Sequence, residues 1–168
     1  MNTQMRKALL GLASVAAFAV AGAAQAANVS YEGETILYSS DLGTSIQCTL
    51  QVSGTIDSSG NVQINSAGAR TATSSDSPLC ALVYTGDLPW TGSTSSSTIT
   101  TSAGSTLIYD PSSGSVLASC GTGTGDVDGV SYGAGSPPAT VTISSGSGTP
   151  PNYGNCNLDT VTTLNLLP

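Results

Sequence analysis

Few residues in this chain could carry covalent or acid–base chemistry. It has no histidine, and its only lysine, Lys7, lies in a leader-like N-terminal stretch. A Ser-His-Asp triad is therefore impossible, and so is a Ser-Lys dyad once that stretch is removed. What remains is four cysteines (Cys48, Cys80, Cys120 and Cys156) and ten carboxylates. In an exported chain, four cysteines read as two disulfides, which leaves no thiolate nucleophile. Their spacings are far from the paired separations of zinc sites, and no histidine is present to complete one. No metal and no cofactor are expected. Two carboxylates could in principle cleave a glycosidic bond. However, Asp41, Asp57, Asp76 and Asp110 stand in turn-like settings, where capping a turn is the ordinary role. No catalytic residue is assigned, and the chain reads as non-enzymatic.

Two further motifs are weak. Asp126-Val127-Asp128-Gly129 resembles half of a calcium loop but lacks the remaining oxygen ligands and the distal glutamate, so a Gly/Asp turn is the favoured reading. The run Gly121-Thr122-Gly123-Thr124-Gly125-Asp126 precedes no helical pattern, has no lysine and is acidic, so it is not a phosphate-binding loop.

Arg6 and Lys7 form a basic start, residues 8–22 are apolar and small, and Ala24-Gln25-Ala26 fits a small-x-small cleavage site. Residues 1–26 are therefore expected to be a signal peptide, with 27–168 as one secreted domain. A membrane helix is the alternative, but the apolar run is short of the roughly 20 residues a span needs. After cleavage, Arg70 faces ten acids, a net charge of −9. Such a chain is repelled by nucleic acid and by anionic lipid. With no second apolar run long enough to span a membrane, it is expected to be exported through the periplasm and released.

The elements that must position these groups read as strands. Residues 29–38 and 46–56 alternate, and Ile46, Cys48, Leu50, Val52 and Ile56 share one face. Gly54 lies on that face, where a bulge or a close backbone approach is expected. Asp57-Ser58-Ser59-Gly60-Asn61 is a hairpin turn, and Asp110-Pro111-Ser112-Ser113-Gly114 is another. Residues 79–84, apolar on both faces, suggest a central strand. Residues 98–101, 106–109, 115–120 and 140–143 suggest further strands, and 156–167 one closing strand. Residues 121–136 and 144–154 read as loops. The fold class is all-β, a single antiparallel sandwich or barrel-like domain.

Three disulfide connectivities are open. Loop entropy does not separate them, but consecutive strands are usually neighbours, which favours Cys48–Cys80 and Cys120–Cys156. Trp90, the single tryptophan, follows Pro89. A core position is favoured for it, with an apolar surface contact as the alternative. The six tyrosines could stack on ligands or simply occupy half-buried strand positions.

The order of Cys48, the Gly54-Thr55-Ile56-Asp57-Ser58-Ser59-Gly60 hairpin, Cys80, Leu88-Pro89-Trp90 and two late cysteines resembles the PraB family. The ending Leu166-Leu167-Pro168 is also similar, and the segment from Cys80 to Trp90 is the most specific part. These are small exported activators of alkane oxidation known from pseudomonads. The resemblance implies an extracellular, non-enzymatic accessory that promotes use of long-chain hydrocarbons by aiding emulsification, with hydrocarbon droplets or cell-surface components as partners. It carries no catalytic residue to transfer. A matrix, fimbrial or adhesin-type subunit is the competing class. The oligomeric state is left open.

Overall fold

Alternating side chains build the longest hairpin, β1 (Ala27–Ser39) with β2 (Thr44–Ile56), paired along their full length. In β1 the inward series is Val29, Tyr31, Thr35, Leu37 and Ser39, all buried. This is the period-two pattern of a strand with one covered face. The computed structural model describes residues 25–101, 104–121, 125–145 and 151–168. The expected leader lies outside the described residues except for Gln25 and Ala26.

β2 turns into β3 (Asn61–Arg70) through Asp57 to Gly60. One Asp57 oxygen, Oδ1, accepts from the amides of Ser59 and Asn61 at 2.8 and 2.9 Å, and Gly60 takes the positive φ of 82° that the turn requires. The β2–β3 register shifts between Ser53 and Gly54, so the bulge expected at Gly54 is present. A Cβ there would lie 1.9 Å from the Gln63 carbonyl oxygen, which explains the glycine.

Residues 79–84 do not form a central strand. Pro78–Leu82 is a 3-10 turn capped by the Ser77 hydroxyl, and only Val83–Thr85 (β4) is extended. Pro78 suits the first position of a helical turn, where its missing amide costs nothing. β4 is an edge strand, and the alternate side chain Tyr84 is exposed. Then follow β5 (Trp90–Ser93), β6 (Thr98–Thr100), β7 (Thr106–Asp110) and β8 (Ser115–Cys120).

The loop expected over 121–136 contains two short strands, β9 (Val127–Asp128) and β10 (Val130–Tyr132). After β11 (Thr140–Ile143), the single closing strand expected over 156–167 is two: β12 (Cys156–Thr160) and β13 (Leu164–Leu166). Both pair with β1, but in registers two residues apart. The slip is taken up where the amides of Val161 and Thr162 both donate to the Glu34 carbonyl.

The main sheet has ten strands in the order β10-β11-β13-β1-β2-β3-β5-β6-β9, with β12 beside β1. Its two ends, β9 and β10, are consecutive in the chain and joined only by Gly129, so the sheet curls into an almost closed barrel. Gly129 has φ of 76°, and a Cβ on it would meet the Ser144 carbonyl oxygen at 1.9 Å. A second sheet, β4-β7-β8, stands against the barrel. Val83, Thr85 and Thr106 of this sheet and Leu37 and Cys48 of the barrel share one small cavity of about 50 Å³. The small sheet thus stoppers one end of the barrel.

Candidate functional site

The two disulfides are Cys48–Cys80 and Cys120–Cys156, the sequential pairing favoured by topology, with Cα–Cα distances of 5.6 and 5.4 Å. No described cysteine is free. Each bridge runs from a barrel strand to an edge of the small sheet: Cys80 precedes β4, and Cys120 ends β8. The bridges therefore pin both edges of the stopper. Such bridges point to folding in an oxidising compartment.

Asp57, Asp76 and Asp110 act as hydrogen-bond acceptors within loops and turns. In addition to the two amides, Asp57 accepts from the Asn61 side chain at 2.7 Å. The Asn61 and Ser59 hydrogen bonds hold its pKa below the usual value. Asp110 accepts from the Ser112 amide and hydroxyl and the Ser113 hydroxyl, and is lowered in the same way. Asp76 is buried. Its burial pushes the pKa up, but the amides of Thr73 and Ala72 and the hydroxyl of Thr49 more than offset this, and the net shift is downward. Asp41 receives the Asn155 amide group, and Glu32 pairs with Arg70. Asp57, Asp76 and Asp110 are thus held ionised and have no proton to donate at neutral pH.

Asp128 accepts from the Thr98 hydroxyl at 2.7 Å and belongs to the joint that closes the barrel. Among the described residues no group of three or more His, Cys, Asp or Glu side chains could hold a metal ion. Residues 122–124 of the Gly-rich run lie outside the described residues.

Two apolar regions remain. The first is the barrel lumen, a cavity of about 70 Å³ walled by residues such as Val52, Val62, Ile99, Val141 and Leu164. Leaving such a space empty costs on the order of 2 kcal/mol, at roughly 24 cal/mol per Å³. Trp90 is on this wall, 7% exposed, with its indole N–H donating to the Gly86 carbonyl at 3.0 Å. It also lines the cavity under the small sheet, so it sits where barrel and stopper meet. Two tyrosines stand on the same wall. The Tyr31 hydroxyl donates to the Pro138 carbonyl at 2.7 Å, and burial raises its pKa. Tyr132 is pushed up to about 12, by burial first and by Tyr31 second. Tyr153 is fully buried, with its hydroxyl 2.5 Å from Ser105 Oγ and 2.8 Å from Thr106 Oγ1.

The second region is the outer face of the small sheet. Ile108, Ala118 and Cys120 point inward and are buried. On the opposite face Tyr84 pairs with Leu107, and Tyr109 pairs with Val116. The register slips between Ile108 and Tyr109, which leaves Leu117 as the extra residue of a bulge. Tyr84, Val116 and Leu117 are 50%, 53% and 40% exposed. The Tyr84 and Tyr109 rings meet edge-to-face, with centroids 5.9 Å apart. This face holds three of the six exposed large hydrophobic residues among those described.

Sequence reasoning singled out Trp90 as the candidate apolar contact and did not assemble this face. The signal was present in residues 106–109 and 115–120, where apolar residues occupy both alternations, one more than a single core face needs.

No helix among the described residues is long and apolar enough to cross a membrane. No curated protein and no solved structure matches the chain. A family model does match, over residues 1–165 of 168, that of the alkane oxidation protein activator PraA/PraB-like proteins. Its description as an activator agrees with an accessory role. A match over nearly the whole chain places it in the PraA/PraB-like family of alkane oxidation protein activators.

Proposed function

We propose that the protein works outside the cell as a non-enzymatic, surface-active accessory to alkane use. In this reading it adsorbs to hydrocarbon droplets through the outer face of the small sheet. The observation that carries the proposal is the cluster of Tyr84, Leu107, Tyr109, Val116 and Leu117, which the fold does not use for its core. Contiguous exposed apolar residues framed by polar ones mark a contact surface. Elsewhere the strands turn Ser, Thr and acidic side chains outward, and a net charge of −9 after loss of the leader would keep coated droplets hydrated and mutually repelled. The two bridges hold the face rigid, so adsorption would not require unfolding.

The test is a hexadecane emulsion stabilised by the purified mature protein at low and high salt. Stabilisation is expected, and it should weaken with salt as the Debye length falls from about 10 Å at 0.1 M to about 3 Å at 1 M. Equal stabilisation by buffer, or by an unrelated acidic secreted domain, would sink the reading and shift weight to a matrix subunit. A donor-strand subunit needs an incomplete sheet or a free strand, whereas β1 is paired on both sides.

A further inference from the structure

We propose that the barrel lumen binds the end of one unbranched, uncharged aliphatic chain, admitted past Tyr132 and Ile56. This goes beyond adsorption at a droplet surface, because it concerns single molecules and a different part of the fold. Three observations carry it. The lumen walls are apolar side chains from strands all around the barrel, and such a cavity stays free of water. At about 70 Å³ it is roughly half the size of an apolar cavity of about 150 Å³ that holds benzene, so it suits a slender chain end rather than a ring. Finally, only two side chains need move to open the lumen at one end. Ile56 and Tyr132 line both the lumen and an open depression of about 350 Å³ at the barrel end away from the small sheet. The far end is stoppered by that sheet.

Charge narrows the ligand further. The depression carries Asp57, which is ionised, together with Ser59, Thr94 and Ser136. The only basic residue among those described, Arg70, is paired with Glu32. It lies nine residues along β3 from Asn61, about 30 Å away at ~3.3 Å per residue. No cation stands at the mouth to neutralise a carboxylate or phosphate headgroup, and Asp57 would repel one. A hydroxyl or a bare methyl end meets neither obstacle.

Trp90, the only tryptophan, stands on the lumen wall and reports on it directly. The mature protein is titrated with 1-octanol and, in parallel, with octanoate at pH 8, both below the concentrations at which they aggregate. A saturable change in Trp90 emission is expected with octanol, at least tenfold weaker with octanoate. Val141→Phe, which fills the lumen, should abolish it, and Leu117→Asp on the outer face should leave it intact. If Val141→Phe fails to fold, nuclear Overhauser contacts from the octanol methyl to the Val130 and Val141 methyls of the unaltered protein give the same answer. No saturable response, or no such contacts, overturns the proposal. An equal response to octanoate overturns the uncharged-ligand assignment. A response lost in Leu117→Asp but kept in Val141→Phe would put octanol on the outer face instead.

Discussion

The barrel and the small sheet use the same kinds of residue in opposite ways. β1 buries Val29, Tyr31 and Leu37 on one side and turns Asn28, Ser30, Glu32 and Glu34 the other way. β7 and β8 bury Ile108, Ala118 and Cys120, yet their other side carries Leu107, Tyr109, Val116 and Leu117. A strand in a one-core domain needs a single apolar face. The barrel keeps largely to that economy, with Ile36 and Tyr38 at the end of β1 as exceptions, whereas the small sheet departs from it along both β7 and β8, on the side where no other element packs. Departures from local consistency tend to mark function rather than folding. The bridges separate the two regions in the same sense. Each ties an edge of the small sheet to a barrel strand, while the barrel itself closes through Gly129 and the long β1–β2 hairpin without a cross-link.

Reduction of both bridges should have the largest effect and should fall unequally on the two regions. Loop entropy gives about 4 kcal/mol for each bridge. Amides of β7 and β8 should lose hydrogen-exchange protection at lower denaturant than those of β1 and β2. Simultaneous loss in both regions would mean that barrel and stopper unfold as one unit, and the contrast drawn above would be structural only. Trp90→Ala comes next, because the indole packs at the junction of the two regions and is nearly wholly buried. A loss of about 3–5 kcal/mol is expected in urea melts, the range for large buried aromatics. Emulsification per folded molecule should be unchanged. A loss below about 1 kcal/mol together with weaker oil binding would return Trp90 to the surface role.

The two regions were also unequally legible in the sequence. β2, its bulge at Gly54, the Asp57 turn and the sequential pairing of the cysteines follow from alternation, glycine and chain proximity, which are local properties. Three elements did not. Residues 79–84 are apolar in both alternations, and only the Ser77-Pro78 cap reveals the 3-10 turn that takes up four of the six. Val127 and Val130 are core residues on strands too short to show a period, and they flank a glycine whose conformation closes the barrel. In residues 156–167 the alternation breaks at Asp159-Thr160 and again at Thr162-Thr163, but the two-residue slip cannot be read from those breaks, because register is set by the partner strand and not by the run itself. The outer face was missed for a related reason. A doubly apolar strand could be central or exposed, and its own residues do not say which. Trp90 drew attention as the single tryptophan, yet its seat at the junction is decided by β5 pairing with β3.

Acid should act, with a smaller effect, on residues 71–77, the strap that runs from β3 of the barrel to the 3-10 turn before β4. Asp76 receives Thr49 from β2 and the amides of Ala72 and Thr73, just before the turn that carries Cys80. Its pKa in the folded protein lies below that of the unfolded chain, about 3.9. Its stabilisation is therefore complete above about pH 4 and disappears as pH falls through the lowered folded value. Asp76→Asn should be less stable than the parent at pH 7, and the two should converge toward pH 2. Parallel stability curves across that range would show that the carboxylate charge is not what holds the strap.

The smallest expected effect on stability is the one that tests the contrast most directly. Leu117 is the extra residue of the β8 bulge, 40% exposed, and its backbone has no direct partner in the β7 register. Leu117→Ser removes apolar surface that already meets water, so the melting curve should move by no more than about 0.5 kcal/mol. If the outer face is the hydrocarbon contact, the same substitution should lower hexadecane emulsification, and Tyr84→Ser combined with it should lower it further. A matched control in the barrel, Val141→Ala, should do the reverse, with a clear loss of stability and little change in emulsion per folded molecule, because Val141 is buried on the lumen wall. Both measurements are made on protein shown by circular dichroism to be folded. If Leu117→Ser and Tyr84→Ser leave emulsification untouched while stability stays level, the apolar excess of β7 and β8 has some other partner. The difference between the two regions would then concern assembly rather than oil.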